Sequence, residues 1–141
     1  MTLNEYLSLC LFSQIMGVLK TQHLQPTTEN VVNCYDNNFF YTPRIYCKDG
    51  FNISIQINNG NFCSSENGYR KFGLKWQGVE WGYPSKLLRN SKRYCHETPG
   101  TTQTVGADVP IEIMDELLVS HGGIDVTRSI EQFIEHYNKH S

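Results

Sequence analysis

The segment from residue 41 to residue 85 constrains the fold most, because apolar and polar residues alternate along it between clear turn signals. Its regular part is an apolar set with a polar residue after each member: Phe51, Ile53, Ile55 and Ile57. A period of two is typical of a strand with one buried and one polar face. The segment therefore predicts an antiparallel β-meander of four to five strands.

The turn before this strand predicts its register. A three-residue loop at 48–50, closed by Gly50 in the left-handed region, pairs Ile45 with Ile53. A two-residue loop would instead place Lys48 opposite Phe51. One-residue slips move side chains to the other face of a sheet, so we expect the three-residue loop.

The rest of the meander follows from later turn signals. Asn59-Gly60 predicts a two-residue turn that pairs Ile57 with Phe62 and buries Phe62. Two further alternating sets predict a fourth strand and, after a bulge or turn at 77–78, a fifth: Phe72, Leu74 and Trp76, then Val79, Trp81 and Tyr83.

Helical patterns flank the meander on both sides. Thr2 and Glu5 have the spacing of a capping box, and an apolar residue recurs every fourth position from Leu3 to Leu19. Val109-Pro110 predicts the start of a later helix, and a last helix begins near Thr127, with Ile134 on its buried side. We therefore expect one α+β domain over residues 1–141: a helical part (1–40), the meander (41–85), a loop (86–108) and C-terminal helices (109–141).

The chain carries no catalytic or metal-binding signature. Its five cysteines include no C-x-x-C pair, its histidines lack ligand spacing, and no glycine-rich phosphate loop occurs. Cys95-His96 is the one adjacent Cys and His pair, and neighbouring side chains of an extended chain point apart. We expect no cofactor, reduced thiols, no membrane span and a protein working in the cytoplasm. The missing signatures favour a protein that is not an enzyme and leave an enzyme as the alternative.

A basic stretch rich in aromatic residues provides the first candidate site. Residues 70–93 contain seven basic residues and one acidic residue, Glu80, whereas residues 97–141 contain eight acidic and two basic ones. Cations interleaved with aromatic rings suit a ligand with phosphates and a flat base. The predicted ligand-binding residues, flanked by Tyr69 and Tyr94, are Arg70, Lys71, Trp76, Trp81, Tyr83, Arg89, Lys92 and Arg93. Alternatively, the tryptophans belong to the core and the cations cover the sheet edge.

The polar face of the first two strands is the second candidate surface. Its members alternate with the buried set and are Arg44, Tyr46, Ser54 and Gln56. The alternative is that this face is simply solvated.

Several separated blocks resemble small uncharacterised accessory proteins encoded in tailed-phage genomes. The blocks are YTPRIYCKDGFNISIQ, NFCS, GYPS, TVGADVPI and HGGI. The resemblance implies a phage protein acting in the cytoplasm of a bacterial host, where counter-defence proteins block host complexes or sequester nucleotide signals.

Three functions remain open from the sequence. The first is a counter-defence binding protein that sequesters a small anionic nucleotide-type ligand through the basic, aromatic segment. The second is an inhibitor that binds a host defence protein, such as a CRISPR-type nuclease complex. The third is a hydrolase of a nucleotide signal. The opposed charges of the middle of the chain and its C-terminal end also permit a homo-oligomer.

Overall fold

The computed structural model describes residues 1–89 and 92–140, with side chains described up to residue 135. Its helices are α1 (Leu3–Thr21), α2 (Thr28–Asn37), α3 (Ile111–Ser120) and α4 (Val126–His140). Its strands are β1 (Ile45–Tyr46), β2 (Asn52–Gln56), β3 (Ser64–Ser65), β4 (Gly68–Tyr69), β5 (Trp76–Gly82) and β6 (Val105–Pro110). The predicted α+β class, with an antiparallel sheet and helices at both ends, is confirmed.

Helix α1 begins where its capping box predicts. The Glu5 backbone N–H donates to the Thr2 hydroxyl and the Thr2 N–H donates to the Glu5 carboxylate, both at 3.1 Å. The predicted apolar stripe is buried: Leu3, Leu7, Leu11, Ile15 and Leu19. These side chains join one core with the apolar face of the sheet.

The first hairpin has the expected register. Ile45 pairs with Ile53, the Cys47 N–H donates to the Phe51 carbonyl at 2.7 Å, and Gly50 has a φ of 96°. The three-residue loop is therefore confirmed.

Beyond β2 the strand order differs from a meander. The order is β1-β2-β5-β3-β4, with β6 also paired to β5. Strand β6 shares partners on β5 with both β2 and β3, so these two lie end to end along the opposite edge of β5. β5 therefore lies at the centre of the sheet. Its Val79 and Trp81 are buried in the core.

The loop after β2 explains why the chain does not reverse within the sheet. Asn59 donates its side-chain N–H to the Tyr35 carbonyl at 2.6 Å, and Asn58 accepts from Gly60 at 2.9 Å. The Asn59 bond fastens the loop to α2, and the next strand pairs with β5 rather than with β2. The prediction that Phe62 is buried opposite Ile57 is wrong, since Phe62 is 46% exposed.

The two strands predicted within residues 72–83 are one strand. Phe72 and Leu74 lie before β5, and Tyr83 follows its end. Ser64 pairs with Gly78 and Ser65 with Trp76, which leaves Gln77 as the extra residue of a bulge. A bulge shifts the apolar alternation by one residue. Sequence alone does not distinguish this shift from a break between two strands.

The predicted loop at 86–108 contains most of β6. Gly106 lets this strand approach β5, since a Cβ at that position would lie 2.1 Å from the Trp81 Nε1. Pro110 ends the strand and is the N-cap of α3, so that helix begins at Ile111, two residues later than predicted.

The connection between α3 and α4 covers the outer edge of β1. Asp125 donates its backbone N–H to the Tyr46 carbonyl at 2.7 Å, and the Tyr46 N–H donates to the Ser129 hydroxyl at 2.9 Å. Helix α4 therefore stands beside the polar face of the sheet. Its Ile134 is 51% exposed, contrary to the prediction that it is buried. Within the described residues, no helix has the length and apolarity needed to cross a membrane.

Candidate functional site

The tryptophans of the first candidate set belong to the core. Trp76 is 3% exposed and Trp81 is 1% exposed, and the Trp81 indole N–H donates to the Tyr94 carbonyl at 2.8 Å. Neither ring offers a face on which a base could stack. The interpretation of these two residues as a stacking platform is corrected.

The cations of that set lie on separate elements. Arg70 follows β4 and lies over the rings of Phe62 and Tyr69, 4.8 and 5.5 Å from their centroids. Arg93 pairs with Glu116 on α3. The remaining members are exposed: Lys71, Arg89 and Lys92. The guanidinium groups of Arg70 and Arg93 are thus already engaged within the chain.

The second candidate surface, by contrast, forms a cavity. A volume of about 500 Å³ is lined by all four of its members, together with Tyr83 from the first set. The other lining residues are Tyr41, Thr42, Gln132 and Phe133. We call this space the Arg44 cavity. Its volume lies within the usual range of small-molecule sites.

The strand register explains why these side chains meet. Ile45 pairs with Ile53, so Arg44 lies opposite Ser54, and Ser54 pairs in turn with Gly82 of β5. Paired residues project to the same face of a sheet. The apolar partners go to the core, and their polar neighbours therefore form the floor of the cavity.

Arg44 is the positive group of the cavity. Its Nε donates to the Asn52 side-chain oxygen at 2.8 Å, and an Nη donates to the Tyr83 carbonyl. Two of the five guanidinium N–H groups are used in this way, which fixes the plane of the group and leaves three donors. Burial lowers the pKa of Arg44 from its usual value. Among the described residues, no carboxylate lies within ion-pairing distance of it.

Gln56 and Thr42 form a polar wall. The Thr42 N–H donates to the Gln56 side-chain oxygen at 2.8 Å, and the Gln56 amide donates to the Thr42 carbonyl at 3.1 Å and to the Ser54 hydroxyl at 3.0 Å. Ser54 accepts in this arrangement, so its own proton remains available to an acceptor.

Aromatic rings stand at the rim of the cavity. Tyr41 is 62% exposed and Tyr83 is 57% exposed, although both contribute to the lining. Arg128 of α4 lies 4.8 Å from the centroid of the Tyr46 ring, which brings a second positive charge near. The cavity thus combines cations with flat apolar surfaces.

The described residues assemble no catalytic pair in this cavity. Their part of the lining contains no cysteine, histidine or carboxylate. Burial raises the pKa of Cys47 and of Cys63 to about 11, so both are neutral thiols. His96 packs edge-on against Trp81 at 4.8 Å, and burial lowers its pKa. In the described part of the chain, no group of three His, Cys, Asp or Glu residues could hold a metal ion.

Sequence reasoning found the floor of the cavity but missed most of its walls. Thr42 lies two positions before Arg44, so the same alternation could have included it. Gln132 and Phe133 come from α4, and nothing in the sequence indicates that this helix faces β1.

Comparisons with protein-family models, with curated proteins and with solved structures found no match to this chain. The candidate site is therefore inferred from the geometry of the chain itself.

Proposed function

We propose that the chain is a non-enzymatic binding protein that captures a small anionic nucleotide-type ligand in the Arg44 cavity. The observation that carries the proposal is a partly buried guanidinium group without a carboxylate partner among the described residues. A buried cation is costly unless it is paired, so an anion that enters the cavity is favoured.

The other lining groups support a nucleotide-type ligand. Two exposed tyrosine rings at the rim, Tyr41 and Tyr83, can stack on a base. The Ser54 hydroxyl and the remaining Arg44 donors suit phosphate oxygens, because a planar guanidinium binds phosphate with two parallel bonds.

This proposal places the ligand elsewhere than the basic, aromatic segment. Among the described residues of the segment, Tyr83 is the one that also lines the cavity. Capture of a nucleotide signal in this way would suit a phage accessory protein acting in the cytoplasm of a host bacterium.

Calorimetric titration with AMP tests the proposal. Arg44→Gln should weaken binding by about 10- to 150-fold, the equivalent of about 1.5–3 kcal/mol for hydrogen bonds to a charged group. Arg44→Lys keeps the charge but not the planar fork, so its affinity for AMP should lie between those of the wild type and Arg44→Gln. The comparison variant is Arg89→Ala with Arg93→Ala, which should bind like the wild type. Loss of binding in that double variant, with Arg44→Gln unaffected, would place the ligand at the basic segment instead.

Capture and hydrolysis are distinguished by what the protein releases. After incubation with AMP and heat denaturation, a binding protein returns the intact nucleotide, whereas a hydrolase returns its fragments. Mass spectrometry of the released material separates the two outcomes.

A surface patch favours inhibition of a host protein as the second candidate function. Phe62 and Tyr69 are 46% and 50% exposed, and Arg70 lies over both rings. Aromatic residues and arginine dominate the energetics of protein interfaces. This alternative predicts that a host protein co-purifies with the wild type and is lost on Phe62→Ala with Tyr69→Ala.

A further inference from the structure

A second, smaller cavity adjoins the Arg44 cavity on the same face of the sheet. It has a volume of about 240 Å³ and shares three lining residues with the first: Ser54, Gln56 and Tyr83. It adds two polar residues of its own, Asn61 and Glu80. We call it the Glu80 cavity. Because the shared residues lie between them, the two spaces can hold the two ends of one ligand.

The strand register fixes how far apart these ends lie. Arg44, Ser54 and Gly82 form one row across the sheet, and Gln56 and Glu80 are paired in the next row. With neighbouring strands about 4.8 Å apart and about 6.8 Å between alternate residues of a strand, the Cα atoms of Arg44 and Glu80 are roughly 12 Å apart. A span of this length suits a sugar phosphate rather than a lone phosphate.

Gly82 adds no side chain to the cavity floor between these two rows. It pairs with Ser54, and a Cβ on it would lie 3.1 Å from a methyl carbon of Val105. With no side chain at this position, the polar face stays open from β1 to β5.

Glu80 is held by donors on one of its two oxygens. The Phe62 N–H donates to Oε2 at 2.9 Å, and the Asn61 side chain donates to the same atom. Within the described residues Oε1 receives no hydrogen bond, so it can accept from a ligand. A carboxylate accepts from hydroxyl groups and repels phosphate.

We propose that the two cavities form one divided site for a ribonucleotide, with the phosphate at Arg44 and the ribose hydroxyls donating to Glu80. This inference rests on the proposed function and adds an orientation and a substrate class. The positive and negative ends make the reverse orientation unfavourable, and a deoxyribose lacks the 2′-hydroxyl that Glu80 accepts from. The site therefore selects ribonucleotides over deoxyribonucleotides.

Calorimetric titration with matched pairs of ligands tests the inference. The probes are AMP against 2′-deoxy-AMP, and ribose 5-phosphate against 2-deoxyribose 5-phosphate. The wild type should bind each ribose form about 10- to 100-fold more tightly, since a hydrogen bond to a charged group is lost in the deoxy form. Glu80→Gln should remove most of this preference and leave the affinity for 2′-deoxy-AMP unchanged or higher. Glu112→Gln, an exposed change on α3, is the matched control.

The outcomes separate the inference from the proposed function. Equal binding of the ribose and deoxyribose forms by the wild type overturns the inference alone, and that comparison needs no variant. A preference that persists undiminished in Glu80→Gln also overturns it. If neither nucleotide nor sugar phosphate binds to the wild type, both the inference and the proposed function fail.

Discussion

Replacing Tyr83 by glycine should separate the stability of the fold from ligand binding. Tyr83 has a φ of 52°, a left-handed conformation that costs a non-glycine residue about 1–2 kcal/mol. Glycine removes this strain but adds about 0.5–1 kcal/mol of unfolded-state entropy. The backbone bonds of residue 83 do not depend on its side chain: its N–H donates to Thr104 at 2.9 Å and its carbonyl accepts from Arg44. The side chain is 57% exposed, so little burial is lost. We expect the free energy of unfolding to stay within about 1 kcal/mol of the wild type.

Binding should respond differently, because Tyr83 lines both cavities. Loss of one stacking ring costs about 1–3 kcal/mol, or about a 5- to 150-fold rise in the AMP dissociation constant. Urea unfolding and calorimetric titration measure the two effects on one preparation. Tyr69→Ala removes a similarly exposed ring outside the cavity and should leave AMP binding unchanged. A folded Tyr83→Gly variant with wild-type affinity would refute the reasoning.

Two further predictions concern the scaffold. Gly106→Ala places a methyl group 2.1 Å from the Trp81 Nε1 and breaks the bond from that indole to Tyr94, so we expect a loss of about 2–4 kcal/mol in urea unfolding. The Asp49 carboxyl has a pKa below its usual 3.8, first because the Phe51 N–H donates to it and then through its bond to His121. Its stabilisation is therefore present above pH 3.8 and lost as the pH falls through the lower folded-state value. The melting temperature of Asp49→Asn should vary less with pH in this acid range than that of the wild type.

Each of these two scaffold predictions has a result that would contradict it. Gly17→Ala, which meets nothing within 4 Å in α1, is the control for Gly106→Ala and should be neutral or stabilising. Equal stability of Gly106→Ala and the wild type would contradict the close packing of β6 on Trp81. Identical acid profiles for Asp49→Asn and the wild type would contradict the role of that carboxylate.

Local patterns predicted the local structure well. The capping box at Thr2 and the turn closed by Gly50 each depend on residues close in the chain, and both are confirmed. Local patterns do not predict a strand pairing that depends on residues distant in the chain. β5 replaces β3 as the neighbour of β2, and its Val79 and Trp81 are buried in the core.

The same distinction explains the candidate site. Alternation along β1 and β2 placed Arg44, Tyr46, Ser54 and Gln56 on one face, and all four line one cavity. The wall formed by Gln132 and Phe133 comes from α4, and the position of that helix depends on bonds such as the one from Asp125 to Tyr46. Composition alone favoured the basic segment, but it does not show whether a tryptophan faces the core or the solvent.

An NMR titration of the isotopically labelled protein with AMP tests the central claim most directly, because it locates the ligand without any substitution. The account predicts that the largest amide shifts cluster at the lining of the Arg44 cavity, around residues 42–46, 54–56 and 83. It also predicts that amides near Arg89 and Arg93 change little. Shifts concentrated at residues 86–94 instead, or no shifts at millimolar AMP, would contradict it.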